Sequence, residues 1–363
     1  MEIGIVGFLK SGKTTIFNAL TGLDAPVSAF STGKAEPNLA VVPAPDERLQ
    51  RLSALFKPKK TVPATVRYVD LAGIARGRQD AGEGLGEAQL HAIGACDALL
   101  AVIRGFPNAA GEPPDVRSEA EAIVLEMTLS DLKKVESRLE RLAKMRGKIG
   151  AEEAKRNAVE QGALLRLKSL LESGQPIRAA ELSADEEKLL RGFGFLTQKP
   201  LMLLVNAAEE ALGAQADPAG PIRASADAPG VCVNWVAGQA EMEIARLAAA
   251  ERSEFLAEYG IEEPASARII RLGRDLLGLI TFFTVGPEEC HARTVRRGTP
   301  ALEAAGLIHT DMQRGFIRAE VCRWDDLAAA GSFAELKKHG KLRVEGKAYE
   351  IQDGDVMHVL FSV

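Results

Sequence analysis

Short apolar runs in this chain have the length and composition of buried strands, and amphipathic stretches with helical spacing lie between them. Strands that alternate with helices predict an α/β fold. Residues 112–198 interrupt the alternation with a long, highly charged stretch of helical pattern. The strand-like runs are Ile3–Val6, Thr65–Val69, Ala98–Ile103, Leu201–Val205 and Val231–Val236.

The residues after the first run have the pattern of a phosphate-binding P-loop. Its glycines let the backbone curl so that N–H groups face a phosphate, and the following helix N-terminus favours an anion. Lys13 is expected to reach the β- and γ-phosphates, and Thr14 to offer its hydroxyl to Mg²⁺. The sequence therefore predicts a nucleoside triphosphate site. Its residues are Gly7, Phe8, Leu9, Lys10, Ser11, Gly12, Lys13, Thr14 and Thr15.

A second phosphate-site motif, Asp70-Leu71-Ala72-Gly73, follows the next run. An aspartate that ends a buried strand can hold Mg²⁺ through water, and Gly73 would let its N–H approach the γ-phosphate. Ile74 stands next, where Ras-type switches carry a glutamine that orients the attacking water. Because isoleucine cannot polarise water, we expect slow intrinsic hydrolysis or a catalytic group from elsewhere.

Two loops are expected near the phosphates. Residues 21–45 are rich in Gly, Pro, Ser and Thr, and Thr32 there is either a Mg²⁺ ligand or a solvent-exposed residue. Residues 77–86 contain too many glycines for regular structure and are expected to form a flexible switch loop. His91 follows on a predicted helix, where a surface position is commoner than a catalytic role.

The fourth run leads into a candidate base-binding motif, Asn206-Ala207-Ala208-Glu209. GTPases place Asn-Lys-x-Asp here, and the aspartate accepts hydrogen bonds from guanine. Glu209 and Ala207 replace the aspartate and the lysine, which should weaken guanine binding and permit adenine. The loop Ala237-Gly238-Gln239 after the fifth run occupies the last base-contacting position.

The interrupting stretch predicts two antiparallel helices that form a coiled-coil arm. In its first helix, Leu125, Leu129, Leu132, Leu139 and Leu142 fall on a three- and four-residue seam. A basic cluster on the arm is either a solvated face or a contact for RNA or the ribosome. The cluster contains Lys133, Lys134, Arg138, Arg141, Lys144, Arg146 and Lys148.

Composition narrows the functional classes by exclusion. The 363 residues carry a formal net charge of −5, so any nucleic-acid contact must be a local patch. Four cysteines without metal-like spacing indicate reduced thiols in a cytoplasmic protein. No apolar run is long enough to cross a membrane, and no signal peptide is recognisable, so we expect no membrane association.

The order of these motifs resembles that of the YchF-type Obg-related NTPases, also called Obg-like ATPases. The resemblance includes the stretches DLAGIARG, GEGLG and NAAE and the segment Glu36-Pro37-Asn38. The last residues are similar to that family's TGS domain, a small ubiquitin-like β-grasp module, most specifically at Gly306–Asp311, Gly315–Ala319 and Asp353–Met357. The resemblance implies a Ras-like P-loop domain in residues 1–111 and 200–265, the arm in 112–199 and the TGS domain in 278–363.

The same resemblance implies ATP or GTP hydrolysis with Mg²⁺, loose base choice and association with ribosomes. It also implies a hydrophobic residue at the catalytic glutamine position, which Ile74 satisfies. Asn206 and Glu209 inherit contacts with the base, and Lys13, Thr14 and Asp70 inherit those with phosphate and Mg²⁺.

Two positions depart from the family pattern. Lys10 stands where the family's P-loop has an asparagine, which in related GTPases helps to hold a K⁺ ion. Its ammonium either occupies that cation site or points into solvent. Lys34 aligns with the family's switch threonine, so either Thr32 replaces that threonine or the loop does not clamp Mg²⁺.

We therefore expect a monomeric NTPase switch that acts on the ribosome or translation. A nucleotide-gated scaffold with negligible hydrolysis is the alternative. A small-molecule kinase is disfavoured, because such enzymes need an acceptor pocket and usually an arginine-bearing lid.

Overall fold

The computed structural model describes residues 1–25, 38–71, 73–74, 87–145, 150–214 and 216–362. In chain order to residue 190 the elements are β1 (Glu2–Val6), α1 (Lys13–Thr21), β2 (Asn38–Pro43), α2 (Glu47–Phe56), β3 (Lys60–Val62), β4 (Thr65–Asp70), α3 (Glu87–Ala95), β5 (Ala98–Gly105), α4 (Val116–Met145), α5 (Ala151–Glu172) and α6 (Ala184–Leu190). The remaining elements are β6 (Leu201–Ala207), β7 (Val231–Ala237), α7 (Gly238–Arg246), α8 (Ala249–Glu258), α9 (Ala265–Leu276), β8 (Leu279–Val285), β9 (Glu289–Arg296), α10 (Ala301–Ile308), α11 (Thr310–Arg314), β10 (Phe316–Arg323), α12 (Trp324–Ala330), α13 (Phe333–Lys338), β11 (Arg343–Glu345) and β12 (Asp355–Phe361).

The chain divides into two compact units. The first contains Met1–Val41 and Arg67–Ile269, and the second contains Val42–Val66 and Ile270–Val363. The chain therefore passes between the units within β2, within β4 and within α9. Residues 42–66 group with the C-terminal residues, which the hydrophobic pattern did not indicate.

The first unit is built on a six-stranded sheet with the order β2-β4-β1-β5-β6-β7. In this order, the neighbouring strands β4, β1, β5, β6 and β7 pair in parallel. Every residue of β6 is buried. Strands buried on both faces are typical of α/β proteins. All five predicted strands are confirmed, and their parallel direction brings the carboxyl ends of β1, β4, β6 and β7 to one edge.

Helices α4 and α5 pack against each other, as the arm prediction requires, but the predicted seam is wrong at two positions. Leu125 and Leu129 are 56% and 50% exposed. The residues that pack inward begin instead at Val116 and continue at intervals of three and four positions. Residues with this spacing lie on one face of an α-helix. The residues from Val116 to Met127 join the core under the sheet, and Val135 and Leu142 pack against α5. The buried members are Val116, Ala120, Ile123, Met127, Val135 and Leu142.

Polar side chains hold the base of the arm. The carboxylate of Asp131 on α4 accepts hydrogen bonds from the backbone N–H groups of Leu196 and Thr197, at 2.9 and 2.7 Å. Arg138 on α4 donates two hydrogen bonds to Glu160 on α5, at 2.7 and 2.8 Å. Paired in this way, both buried carboxylates are satisfied, and the two helices are fixed in register.

The second unit is built on another six-stranded sheet, with the order β11-β10-β12-β8-β9-β3. Strand β3 lies at its edge and pairs in parallel with β9, beginning at Lys60 and Glu289. Leu49 and Leu52 of α2 are buried in this unit's core beside Phe283. Residues 42–66 thus supply both a strand and a core helix to the second unit. No described helix combines the length and apolarity that a membrane crossing requires.

Arg48 fastens α2 within the second unit. Its guanidinium donates to Asp46 at 2.8 Å and to Asp353 at 2.6 Å, and it lies 5.2 Å from the centroid of the Phe283 ring. The side chain is mostly buried, so removal of the guanidinium would leave two carboxylates without their shared partner. Such losses cost more than those of exposed ion pairs.

We expect Arg48→Ala to lower the free energy of unfolding of the second unit by about 2 kcal/mol. The two tryptophans, Trp235 and Trp324, fall in different units. Urea unfolding of a Trp235→Phe background, followed by Trp324 fluorescence, would therefore report on the second unit. The control is Lys59→Ala, whose partner Glu288 is exposed, with an expected loss below about 0.5 kcal/mol. Equal losses in the two variants would contradict the role given to Arg48.

Candidate nucleotide-binding site

The P-loop joins β1 to α1 at the carboxyl edge of the first sheet. Gly12 forms the N-cap of α1 with a φ of 87°, a left-handed conformation that favours glycine. A Cβ at this position would also lie 2.1 Å from Asn206 Nδ2. Gly12 therefore meets both a conformational and a steric requirement, and it starts the helix whose N-terminus faces the phosphate position.

Lys13 is buried beneath this loop, with 7% of the residue exposed. Its Nζ donates a hydrogen bond to the Phe8 carbonyl at 2.9 Å. Burial lowers the pKa of Lys13 to about 8, although the negative charges of Asp70 and Glu119 oppose the change. An anionic phosphate would favour the charged form of this desolvated ammonium.

Gly73 and Ile74, which follow Asp70, lie directly against the P-loop. Ile74 forms a parallel bridge with Phe8, its N–H donates to the Gly7 carbonyl, and its carbonyl accepts from Leu9 N–H. A Cβ at Gly73 would lie 2.7 Å from Lys13 Nζ, so only glycine approaches the ammonium this closely. The Ile74 side chain is buried and offers no polar atom. The position that carries glutamine in Ras-type switches is therefore structural here.

Asp70 and Thr14 form the part of the predicted Mg²⁺ site that the structure describes. Thr14 Oγ1 donates to Asp70 Oδ2 at 3.2 Å, and the amide of Asn38 donates to the same oxygen at 3.2 Å. Asp70 Oδ1 is buried without a hydrogen-bond partner among the described residues. Burial raises the pKa of Asp70, while Asn38, Lys13 and Thr14 oppose the rise. A carboxylate oxygen of this kind fits a hard divalent cation.

One residue outside the sequence motifs contacts this candidate cation site, and one predicted ligand of the site is not described. Asn38 was quoted above only for the family resemblance, yet it holds the carboxylate of Asp70. The contact arises because β2, which begins at Asn38, lies beside β4, which ends at Asp70, and the sequence carries no signal for that neighbourhood. Thr32, the other predicted ligand, lies outside the described residues, as does Lys34.

Asn206 connects the loops around the site. Its Nδ2 donates to the Ser11 carbonyl at 3.1 Å, and its Oδ1 accepts from Gly238 N–H at 3.1 Å. The side chain is buried, and its two polar atoms bind the backbone of the P-loop and of the first residue of α7. Asn206 thereby aligns the P-loop with the N-terminus of α7. The predicted loop 237–239 is wrong in one respect, because α7 begins at Gly238.

The remaining base-site candidates line the same edge. Ala207 and Ala237 are buried at the ends of β6 and β7. Gln239 is exposed and donates to Glu243 at 2.7 Å. Glu209 is exposed, and its Oε1 accepts from the hydroxyl of Tyr259 at 2.6 Å. The sequence analysis missed Tyr259, since it lies far along the chain from any motif.

Other candidates are placed as follows. Lys10 is exposed at the P-loop tip with a φ of 65°, a left-handed conformation unusual for a lysine. His91 is exposed on α3, in agreement with the surface alternative. In the basic cluster, Lys134 donates to the carbonyls of Phe193 and Gly194, and Arg138 binds Glu160. These two side chains are therefore engaged within the protein, which weakens the cluster as an RNA patch; Arg146 and Lys148 lie outside the described residues.

Comparisons with known proteins match both parts of the chain. Residues 2–141 match a family model described as a 50S ribosome-binding GTPase. Residues 279–362 match the YchF-GTPase C-terminal model, described as a protein of unknown function (DUF933).

Curated relatives match over the whole chain. The chain is 39% identical to the Ribosome-binding ATPase YchF of Bacillus subtilis (strain 168), with 100% of both chains covered. It is 40% identical to the protein of the same name from Escherichia coli O157:H7, covering 100% of this chain and 99% of that one. The structure of the Schizosaccharomyces pombe YchF GTPase matches with a TM-score of 0.82 and 31% identity, covering 99% of this chain and 97% of the other.

Asp70→Asn tests the cation site. We expect ATP binding in EDTA to change little, because phosphate contacts remain, and the strengthening of binding by Mg²⁺ to fall by at least about tenfold. Titration calorimetry with a non-hydrolysable ATP analogue, with and without Mg²⁺, measures both quantities. Asp217→Asn, at an exposed carboxylate paired with Arg223, is the control. An undiminished Mg²⁺ effect in Asp70→Asn would remove Asp70 from the site.

Proposed function

The chain belongs to the YchF family of Obg-related P-loop NTPases, and we propose that it acts as a nucleotide-dependent switch on the ribosome. It binds ATP or GTP with Mg²⁺ and hydrolyses the nucleotide slowly, as a cytoplasmic monomer. The observation that carries the proposal is the phosphate site. Lys13 of the P-loop is buried, and Thr14, which follows it, is hydrogen-bonded to Asp70. All three residues lie at one edge of the sheet.

Separate residues of the site are expected to contact the phosphates and the metal ion. A bound triphosphate takes the place of the Phe8 carbonyl as acceptor for Lys13, which then counters charge on the β- and γ-phosphates. Thr14 and Asp70 would hold Mg²⁺, which would supply further neutralisation of phosphate charge. Ile74 contributes no polar group that could orient the attacking water. The expected intrinsic rate is therefore low.

The contacts around α3 support a route from the nucleotide to the arm. Helix α3 follows the predicted switch loop of residues 77–86 along the chain. Its Gly94 lies against Gly194 so closely that a Cβ on Gly194 would be 3.0 Å from the Gly94 carbonyl oxygen. The Gly194 carbonyl accepts from Lys134 of α4 at 3.0 Å. Lys199, which follows Gly194, donates to the carbonyl of Cys96 at the end of α3. We expect a shift of α3 on hydrolysis to reach the arm through these contacts.

Action on the ribosome is proposed from the relatives. The Bacillus subtilis and Escherichia coli proteins are named ribosome-binding ATPases, and the N-terminal model describes a 50S ribosome-binding GTPase. The cytoplasmic location agrees with the four free cysteines. A scaffold that binds nucleotide and hardly hydrolyses it is the second candidate, favoured by the apolar Ile74 side chain at the usual glutamine position.

Single-turnover hydrolysis of ATP and GTP, with and without purified ribosomes, separates the two candidates. We expect slow turnover by the protein alone and a rise on the order of tenfold or more with ribosomes, if these supply or order the missing catalytic group. Lys13→Ala is the control and should abolish turnover in both conditions. Nucleotide binding with no turnover in either condition would favour the scaffold.

The cation dependence of hydrolysis tests Lys10. We expect turnover to change by less than about twofold when Na⁺ is replaced by K⁺, since the Lys10 ammonium supplies the positive charge. Lys10→Asn should fold well, because asparagine tolerates the left-handed backbone, and should gain dependence on K⁺. A several-fold stimulation of the unsubstituted protein by K⁺ would show that Lys10 does not occupy the cation site.

A further inference from the structure

A tyrosine outside every nucleotide-binding motif holds the carboxylate of Glu209. Tyr259 lies at the C-terminal end of α8, and its hydroxyl donates to Glu209 Oε1 at 2.6 Å. Backbone hydrogen bonds fix its position, from Tyr259 N–H to the Phe255 carbonyl and from Ile261 N–H to the Leu256 carbonyl. The hydrogen bond with Glu209 raises the pKa of Tyr259, because the bond stabilises the protonated hydroxyl that donates it.

The number of free carboxylate oxygens distinguishes the two purine bases. Guanine presents two adjacent donors, N1–H and the 2-amino group, which a carboxylate satisfies by accepting one hydrogen bond at each oxygen. Adenine presents a single donor group, the 6-amino group, and one oxygen is enough to accept from it. With the Tyr259 hydroxyl at Oε1, Glu209 keeps Oε2 without a hydrogen-bond partner among the described residues. That arrangement suits a single amino donor better than the guanine pair.

Other charged groups near Tyr259 add to this preference. Glu243 and Glu258 both lie close enough to influence the Tyr259 hydroxyl. The amide N–H of Gln239, which could otherwise donate to the guanine O6, is bonded to Glu243 at 2.7 Å. In place of that donor, the carboxylate of Glu243 would repel the guanine O6 and attract the 6-amino group that adenine carries at the same ring position.

We propose that Tyr259 is a positioning residue for base selection: it orients Glu209 so that the site favours adenine over guanine. The inference rests on the proposed function, because it assumes a purine nucleotide at this edge. Tyr259 acts through Glu209 and touches neither phosphate nor the reacting atoms. Its removal should therefore change the affinity for the base and leave the rate of the bound nucleotide unchanged.

The test compares dissociation constants for non-hydrolysable ATP and GTP analogues, measured by titration calorimetry on the full chain. Tyr259→Phe removes only the hydroxyl. We expect the ratio of GTP to ATP dissociation constants to fall about three- to tenfold, the range that corresponds to the net contribution of a typical intramolecular hydrogen bond. Single-turnover kcat for saturating ATP should stay within about twofold, since phosphate contacts are intact.

A double-mutant cycle shows whether Tyr259 acts through Glu209. In a Glu209→Ala background, Tyr259→Phe should no longer change the ratio, because the group that it positions is gone. Tyr349→Phe is the matched control, since Tyr349 also donates its hydroxyl to a carboxylate, Asp355, at 2.7 Å, but in the second unit. It should leave the ratio unchanged.

The outcomes are separable from failure of the proposed function. An unchanged ratio in Tyr259→Phe would overturn the inference alone, and so would an effect of equal size in the Glu209→Ala background. A ratio that shifts towards ATP would also overturn it. Absence of binding of either nucleotide by the unsubstituted protein would overturn the proposed function and this inference together.

Discussion

The nucleotide site depends on the buried amide of Asn206. Its two polar atoms bind backbone groups of Ser11, in the P-loop after β1, and of Gly238, the first residue of α7 after β7. A buried amide is costly unless its donor and acceptor are paired, so its burial requires both the P-loop and the start of α7 to stay in place. Gly12 and Gly238 make room for it, since a Cβ at either position would clash with the Asn206 side chain. The P-loop and the base-side edge are in this way held by one side chain.

The phosphate side of the site contains two charged side chains that the fold buries away from water. Lys13 and Asp70 are both buried, and burial shifts the pKa of each towards its neutral form while their mutual attraction opposes the shift. An ammonium of lowered pKa and a carboxylate with an unpaired oxygen both gain from the arrival of an anion and a cation. The site is therefore arranged for a phosphate–Mg²⁺ pair, and Ile74 closes it with an apolar contact where a water-orienting group would stand.

Residues 42–66 lie between two segments of the first unit along the chain but belong to the second unit. Residues 42–66 leave the first sheet within β2, contribute α2 and β3 to the second unit, and return within β4. Asn38 at the start of β2 and Asp70 at the end of β4 bound this excursion and are hydrogen-bonded to each other. A segment that belongs to the second unit is therefore tied covalently at both ends to the cation site.

The sequence by itself determined the α/β fold and the two phosphate motifs, because each motif is a short run of adjacent residues that can be recognised without the rest of the fold. It did not determine the inward face of α4, where Leu125 and Leu129 turned outward because packing against the sheet and α5 sets the rotation of the helix. Tertiary structure alone decided that residues 42–66 join the second unit, that Asn38 holds Asp70, and that Tyr259 meets Glu209. Each of these contacts joins residues distant in sequence, and no local periodicity records which distant side chain a fold will bring within hydrogen-bonding distance.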